Sequence, residues 1–278
     1  MFFRVVRSPL GMTTMQGVSP APVEFDPVVA TALAVAAGAC LIGPIVACLW
    51  WHRRSGAPLA AFGAGALVFL VSQVILRLPW QIPLGRWVQV HQQWVIPFLL
   101  LSSLTTGLFE ETGRWVGYRY LLRKERSLRI GVMFGLGHGA LETILLAGLP
   151  LASLLVAWVM ASHGLLPSGP ALEGVRQQTA GLHAGKMLLA VLERASAMAA
   201  HVGLSLIVLQ VWMRGGMRWL ALAVALHFAV NAVAALLVLA LRLSPLIGEL
   251  VLVAMALGVL TLGWRLAQGA EESGAPVW

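Results

Sequence analysis

Residues 94–122 read WVIPFLLLSSLTTGLFEETGRWVGYRYLL, a run of spanning length with Glu110 and Glu111 adjacent inside it and Arg114 one helical turn further on. A bare carboxylate in hydrocarbon costs several kcal/mol, so charge held at that depth marks a functional site and requires partners. The surrounding composition confirms the setting: 59% of the 278 residues are hydrophobic and 11% charged, with mean hydropathy +0.85. A soluble domain carries a much lower apolar share.

Apolar runs of about 20 residues suit a hydrocarbon core about 30 Å thick. They fall at 28–51, 59–78, 94–122, 130–149, 151–166, 185–212, 219–241 and 246–266. The expected fold is therefore all-α, a polytopic transmembrane bundle of seven or eight spans, the fifth being short. It forms one domain: N-terminal spans and an interfacial segment (1–93), a motif-bearing four-helix core (94–241), and a last span with its tail (242–278). Trp80, Trp87 and Trp94 place 79–93 at the membrane interface. The only sizeable loop is 164–182. Arg4 and Arg7 are followed by Ser, Pro and Gly rather than an apolar core with a cleavage site, so no removable signal is expected.

The net charge of +8 collects in short loops, His52-Arg53-Arg54, 123–129 and Arg214 to Arg218. Basic loops favour the cytoplasmic face and anionic lipid. No aromatic-basic platform accompanies them, which excludes nucleic acid. With eight full crossings the third basic loop would fall outside, a conflict that a fifth segment short of a full crossing removes. Cys40 and Cys48 lie two turns apart on one span and cannot form a disulfide with each other. An integral protein of a prokaryotic cytoplasmic membrane is expected.

Further polar groups recur at depth. Phe134, His138 and Glu142 follow at four-residue intervals, Glu193-Arg194 precede His201, and His227 precedes Asn231 by one turn. At 1.5 Å per residue, His138 and His227 each stand roughly 13 Å beyond a basic loop, which makes the histidines level. The known chemistries for cutting a peptide bond inside a membrane narrow against this inventory. No Gly-x-Ser-Gly nucleophile occurs, Asp26 is the sole aspartate, and His-Glu-x-x-His is absent. A glutamate acting as general base on water remains, with histidines and an asparagine facing the developing oxyanion.

Glu110-Glu111-x-x-Arg114, Phe134-x-x-x-His138 and His227-x-x-x-Asn231 resemble, in order and spacing, the three motifs of the CAAX-protease and bacteriocin-processing superfamily of glutamic intramembrane proteases. His138-Gly139 and Glu193-Arg194…His201-Val202-Gly203-Leu204-Ser205 are similar to its YhfC-type branch. One spacing departs, since the arginine usually stands three residues beyond the glutamate pair and here stands two. The resemblance implies that the first glutamate activates water, assisted by His138, that His227 and Asn231 form the oxyanion pocket, and that a conical cavity opens among the motif helices. Catalysis is thus expected from Glu110, Glu111, Arg114, His138, His227 and Asn231, with Glu142, Glu193, Arg194 and His201 in support. Glu110 is the first choice of base, Glu111 the alternative. No cofactor is expected in this reading. The runner-up is a zinc hydrolase using His138, His201, His227 and Glu142, and the class-level rival is a proton-coupled transporter or inert scaffold. The expected partners are the bilayer and a membrane protein or lipidated peptide as substrate.

Overall fold

The computed structural model describes residues 23–239 and 244–273, and all regular structure among them is helical. The N-terminal stretch carrying Arg4 and Arg7 and the end of the polar tail lie outside the described residues. The helices are α1 (Pro27–Ser55), α2 (Leu59–Phe69), α3 (Leu78–Val90), α4 (Val95–Val116), α5 (Leu128–Thr143), α6 (Leu149–Ser162), α7 (Pro170–Thr179), α8 (Ala184–Gln210), α9 (Arg218–Leu239) and α10 (Pro245–Glu272). Local chemistry sets the ends. The Asp26 side chain accepts from Val28 N at 2.8 Å and Val29 N at 3.2 Å ahead of Pro27, and Gly56 closes α1 in the left-handed region.

Several helices run together through π-helical turns. Leu70–Arg77 joins α2 to α3, and Ile144–Gly148 joins α5 to α6. The fourth and fifth expected spans are therefore one continuous helix, Leu128–Ser162. Pro150 does not break it, because the π-helical turn just before it takes up the change in hydrogen bonding that its ring and missing N–H impose. The expected interfacial segment likewise continues a helix, Leu59–Val90. The loop at 164–182 contains α7. Among the described residues, six helices are long and apolar enough to cross a membrane. α4 and its π-helical extension to Leu121 reach the same length and carry the buried charges.

Joining the two segments resolves the topology. Trp51 Nε1 donates to Arg129 O at 3.0 Å, Leu128 N to Glu271 Oε1 at 2.7 Å, and Arg214 Nη2 to Leu266 O at 2.9 Å. The three basic loops thus meet at one end of the bundle, as seven crossings require. Outward faces are apolar, with Val35, Ile42, Val46 and Trp50 exposed, as lipid contact demands.

α8 is the central strut, packed against α10, α5, α1, α9 and α4. Glycines permit the closest approaches. A methyl group on Gly65 of α2 would strike the Phe134 carbonyl and His138 N of α5, and one on Gly137 would strike the Phe62 carbonyl in return. Gly203 of α8 meets Gly263 and Val259 of α10 in the same way.

Candidate metal and carboxylate centre

Within this frame α4, α5, α8 and α9 bring their polar residues to one level, and the carboxylate of Glu110 is the hub. Its Oε2 lies 2.8 Å from His138 Nε2, 3.5 Å from Arg114 Nη2, 3.8 Å from His201 Nδ1 and 3.9 Å from His227 Nε2. The ring centroids of His138 and His201 are 5.0 Å apart, those of His201 and His227 5.7 Å. His138 and His227 are level, as their equal spacing from the basic loops requires, and His201 lies against both rings.

The neighbours fix each ring. Glu111 Oε1 accepts from Arg114 Nη1 and faces His227 Nδ1 at 2.7 Å. An ionised carboxylate only accepts, so the His227 proton sits on Nδ1 and the lone pair of Nε2 points toward Glu110. Arg114 Nη2 is 2.6 Å from His201 Nδ1. A guanidinium only donates, so the His201 proton sits on Nε2, which lies 2.5 Å from Glu142 Oε2. Arg194 then ties Glu142 Oε1, at 3.2 Å, to Glu193 Oε1, at 2.5 Å.

Two residues the motifs do not reveal complete the hub. Gln73 Nε2 donates to Glu110 Oε1 at 2.6 Å, and Arg77 Nη1 donates to Gln73 Oε1 at 2.7 Å. The arginine cannot accept, so the Gln73 amide has one orientation, with its NH2 on Glu110. Arg77 is itself held by Ser102 O and Oγ, both at 2.9 Å, and by Thr105 Oγ1 at 3.3 Å. Gln73 and Arg77 lie in the π-helical turn between α2 and α3. The signal available was a glutamine and an arginine four apart, late in an apolar run.

Of the expected residues, Glu110, Glu111, Arg114, His138, His201, His227 and Glu142 converge, with Glu193 and Arg194 at their margin. Arg114 reaches both glutamates, so its shorter spacing from the pair still closes the contact. Asn231 is half-buried and joins none of these contacts. Phe134 packs on Tyr118, 4.8 Å between centroids, below the centre rather than in it. The expected cavity is filled by these side chains, and the side chain of Glu110 is 3% exposed. An apolar groove of about 550 Å³ lies instead between α2 and α4, lined by Val68, Val71, Phe109 and Gly113 among others.

Glu110, His138, Glu142 and His201 offer ligand atoms all within 4.8 Å of one another, as do Glu110, Glu111 and His227. His227, with Nδ1 on Glu111 and Nε2 facing inward, shows the pattern that orients metal-bound histidine, while the inward nitrogen of His201 holds Arg114. His138 Nδ1, Glu111 Oε2 and Arg114 Nε are buried without a partner among the described residues, and such orphans in a native centre mark places where water or an ion binds. Charge points the same way. Glu110, Glu111, Glu142 and Glu193 face Arg114 and Arg194 directly and Arg77 through Gln73, leaving one negative charge for an imidazolium or a bound cation to balance.

A helical bundle that buries histidines and carboxylates deep among apolar helices is the arrangement of a functional centre inside a membrane. The family described as YhfC intramembrane metalloprotease matches residues 39–252, and the chain belongs to it. The uncharacterized membrane protein YhfC of Bacillus subtilis (strain 168) is 30% identical over 214 residues, covering 73% of this chain and 83% of the relative. No solved structure matches the chain. The chain is accordingly an integral membrane protein of a protease family. The expectation of a centre without metal loses its support, and the zinc alternative fits both the family and the donor set.

Proposed function

We propose that the protein hydrolyses peptide bonds of membrane-embedded or membrane-proximal substrates, with a divalent cation, zinc by its donor chemistry, held by His138, His201 and His227 beside Glu110. The observation that carries this reading is the convergence of three imidazole nitrogens on Glu110 Oε2, two of them backed by Glu111 and Glu142. A cation bound there supplies Lewis acidity to a scissile carbonyl and to water. Glu110 takes the proton of the attacking water. Gln73 occupies its Oε1, so the working oxygen is Oε2. Arg114 and Glu111 hold the His227 ring, and Glu142 holds that of His201. Asn231, one turn beyond His227, is assigned to the oxyanion of a docked substrate.

One contact favours a second reading, a metal-free glutamic mechanism like that of the CAAX-protease superfamily. Arg114 Nη2 occupies His201 Nδ1 at 2.6 Å, the nitrogen the metal would need. Arg114 would then be the only cation beside Glu110, with His138 donating to that carboxylate. Metal analysis of the purified protein separates the two. The metalloprotease reading expects stoichiometric zinc, lost in His227→Ala, and cleavage of a single-span reporter peptide that stops on chelation and returns with zinc. Undiminished cleavage by metal-free protein would leave the glutamic mechanism in its place.

A further inference from the structure

The centre needs water and lies some 13 Å or more from either membrane face, so one route through the bundle must be polar. Two routes exist in principle, one toward the basic loops and one away from them.

The first is plugged. One turn beyond Arg114, Tyr118 is fully buried and donates to Ser205 O at 3.0 Å, bridging α4 to α8. Phe134 packs against it in a tilted contact at 4.8 Å and Trp212 likewise at 5.6 Å, and Leu209 and Met213 complete a buried apolar layer.

The second is a continuous run of charged contacts. From Glu110 it passes to Arg114 at 3.5 Å, His201 at 2.6 Å, Glu142 at 2.5 Å, Arg194 at 3.2 Å and Glu193 at 2.5 Å. Exposure rises along it. The side chain of Glu110 is 3% exposed, those of Glu142 and Arg194 15% and 16%, and that of Glu193 42%. Glu193 stands roughly 31 Å along α8 from Arg214, which is the thickness of the hydrocarbon core. It therefore lies at the membrane boundary opposite the basic loops. The same trend holds on α9, where His227 is buried and Asn231, one turn toward that far end, is half-buried. Charges exposed at this depth cannot face lipid cheaply, and water is the environment that lets them remain exposed.

We propose that water reaches the centre from the end opposite the basic loops, along the seam Glu193–Arg194–Glu142–His201. Arg194 acts as a clamp between Glu142 and Glu193 along that seam. The purpose of the inlet rests on the hydrolytic reading above, but its existence does not, and it is tested without substrate or metal.

Ala197 is half-buried on the same face of α8, three residues beyond Arg194 and four before His201. Ala197→Cys, made in the full chain with Cys40 and Cys48 replaced by alanine, puts a small thiol on the seam. A charged, membrane-impermeant methanethiosulfonate, which reacts with the thiolate in water, is applied to intact cells and to inverted membrane vesicles. Lys124→Cys, in a basic loop, reports which face is presented. The inlet predicts modification of Ala197→Cys from the face opposite Lys124→Cys and none from the same face. Modification from the Lys124 side, alone or as well, overturns the proposal, and so does protection from both. Glu193→Cys, at the mouth, repeats the test where the thiol needs no deep access. If it too resists the reagent from the far face, the seam carries no water.

Discussion

The two halves of α8 are built to opposite rules. From Ala200 to Gln210 every residue is buried, against α5, α9 and α10, in the apolar layer below the centre. From Ala184 to Ala199 only Met187 and Ser196 are buried, and the charged pair Glu193-Arg194 faces the seam. The basic-loop half is packed for rigidity, with small residues and glycine contacts holding helices together where no hydrophobic force can do so. The far half gives up packing to admit charge. His201 sits at the border, so one helix both anchors the centre and opens it.

The sharpest way to break this division is to strike each side and read the wrong property. Glu110→Gln keeps the shape and the bond to Gln73 but removes the proton acceptor. Reporter cleavage should fall by about 10²–10⁴ with thermal stability in detergent unchanged, and wild-type rates would move the role to Glu111. Leu206→Ala strikes the packed half. It should cost about 2–4 kcal/mol of stability, read as a lower denaturation midpoint, while cleavage per folded molecule stays near that of the parent. A loss of activity at equal folding would mean that the halves are not separable.

Gln73→Leu probes the hub from outside the motifs. Freed from its one neutral donor, Glu110 should lose orientation, and cleavage or zinc affinity should fall about 10–100-fold. Gln73→Asn, too short to span Arg77 and Glu110 together, should rescue little, whereas a glue role between helices would tolerate it. The smallest effect belongs to the lipid face: Ile42→Ala, at an exposed position, should change stability by less than about 0.5 kcal/mol.

Much of the centre was legible because hydrocarbon is an unforgiving background. Glu110, Glu111, Arg114, His138, His201 and His227 stand out in apolar runs, and a rise of 1.5 Å per residue suffices to put His138 and His227 at one height. Gln73 and Arg77 were not legible, because a polar residue late in an apolar run reads as the end of the span. Only the π-helical turn, which carries the helix on to Val90, turns them inward. The union of α5 and α6 was hidden for a related reason. Gly148 and Pro150 read as a break, yet the π-turn just before the proline lets the chain run through. The filled centre depends on how long side chains interlock across four helices, a matter of three-dimensional packing that linear spacing does not encode.

The reciprocal glycine contact between α2 and α5 sets the dimensions of the centre in main chain alone. His138 stands on the helix that Gly65 and Phe62 touch backbone to backbone, and Gln73, which grips Glu110, stands two turns further along the other. The gap between those two gripping points is therefore a peptide dimension, indifferent to the bulk of any side chain nearby. Residues on the lipid faces of both helices are then free to drift as a membrane changes its thickness or its acyl chains, while the spacing on which the chemistry depends is inherited unaltered.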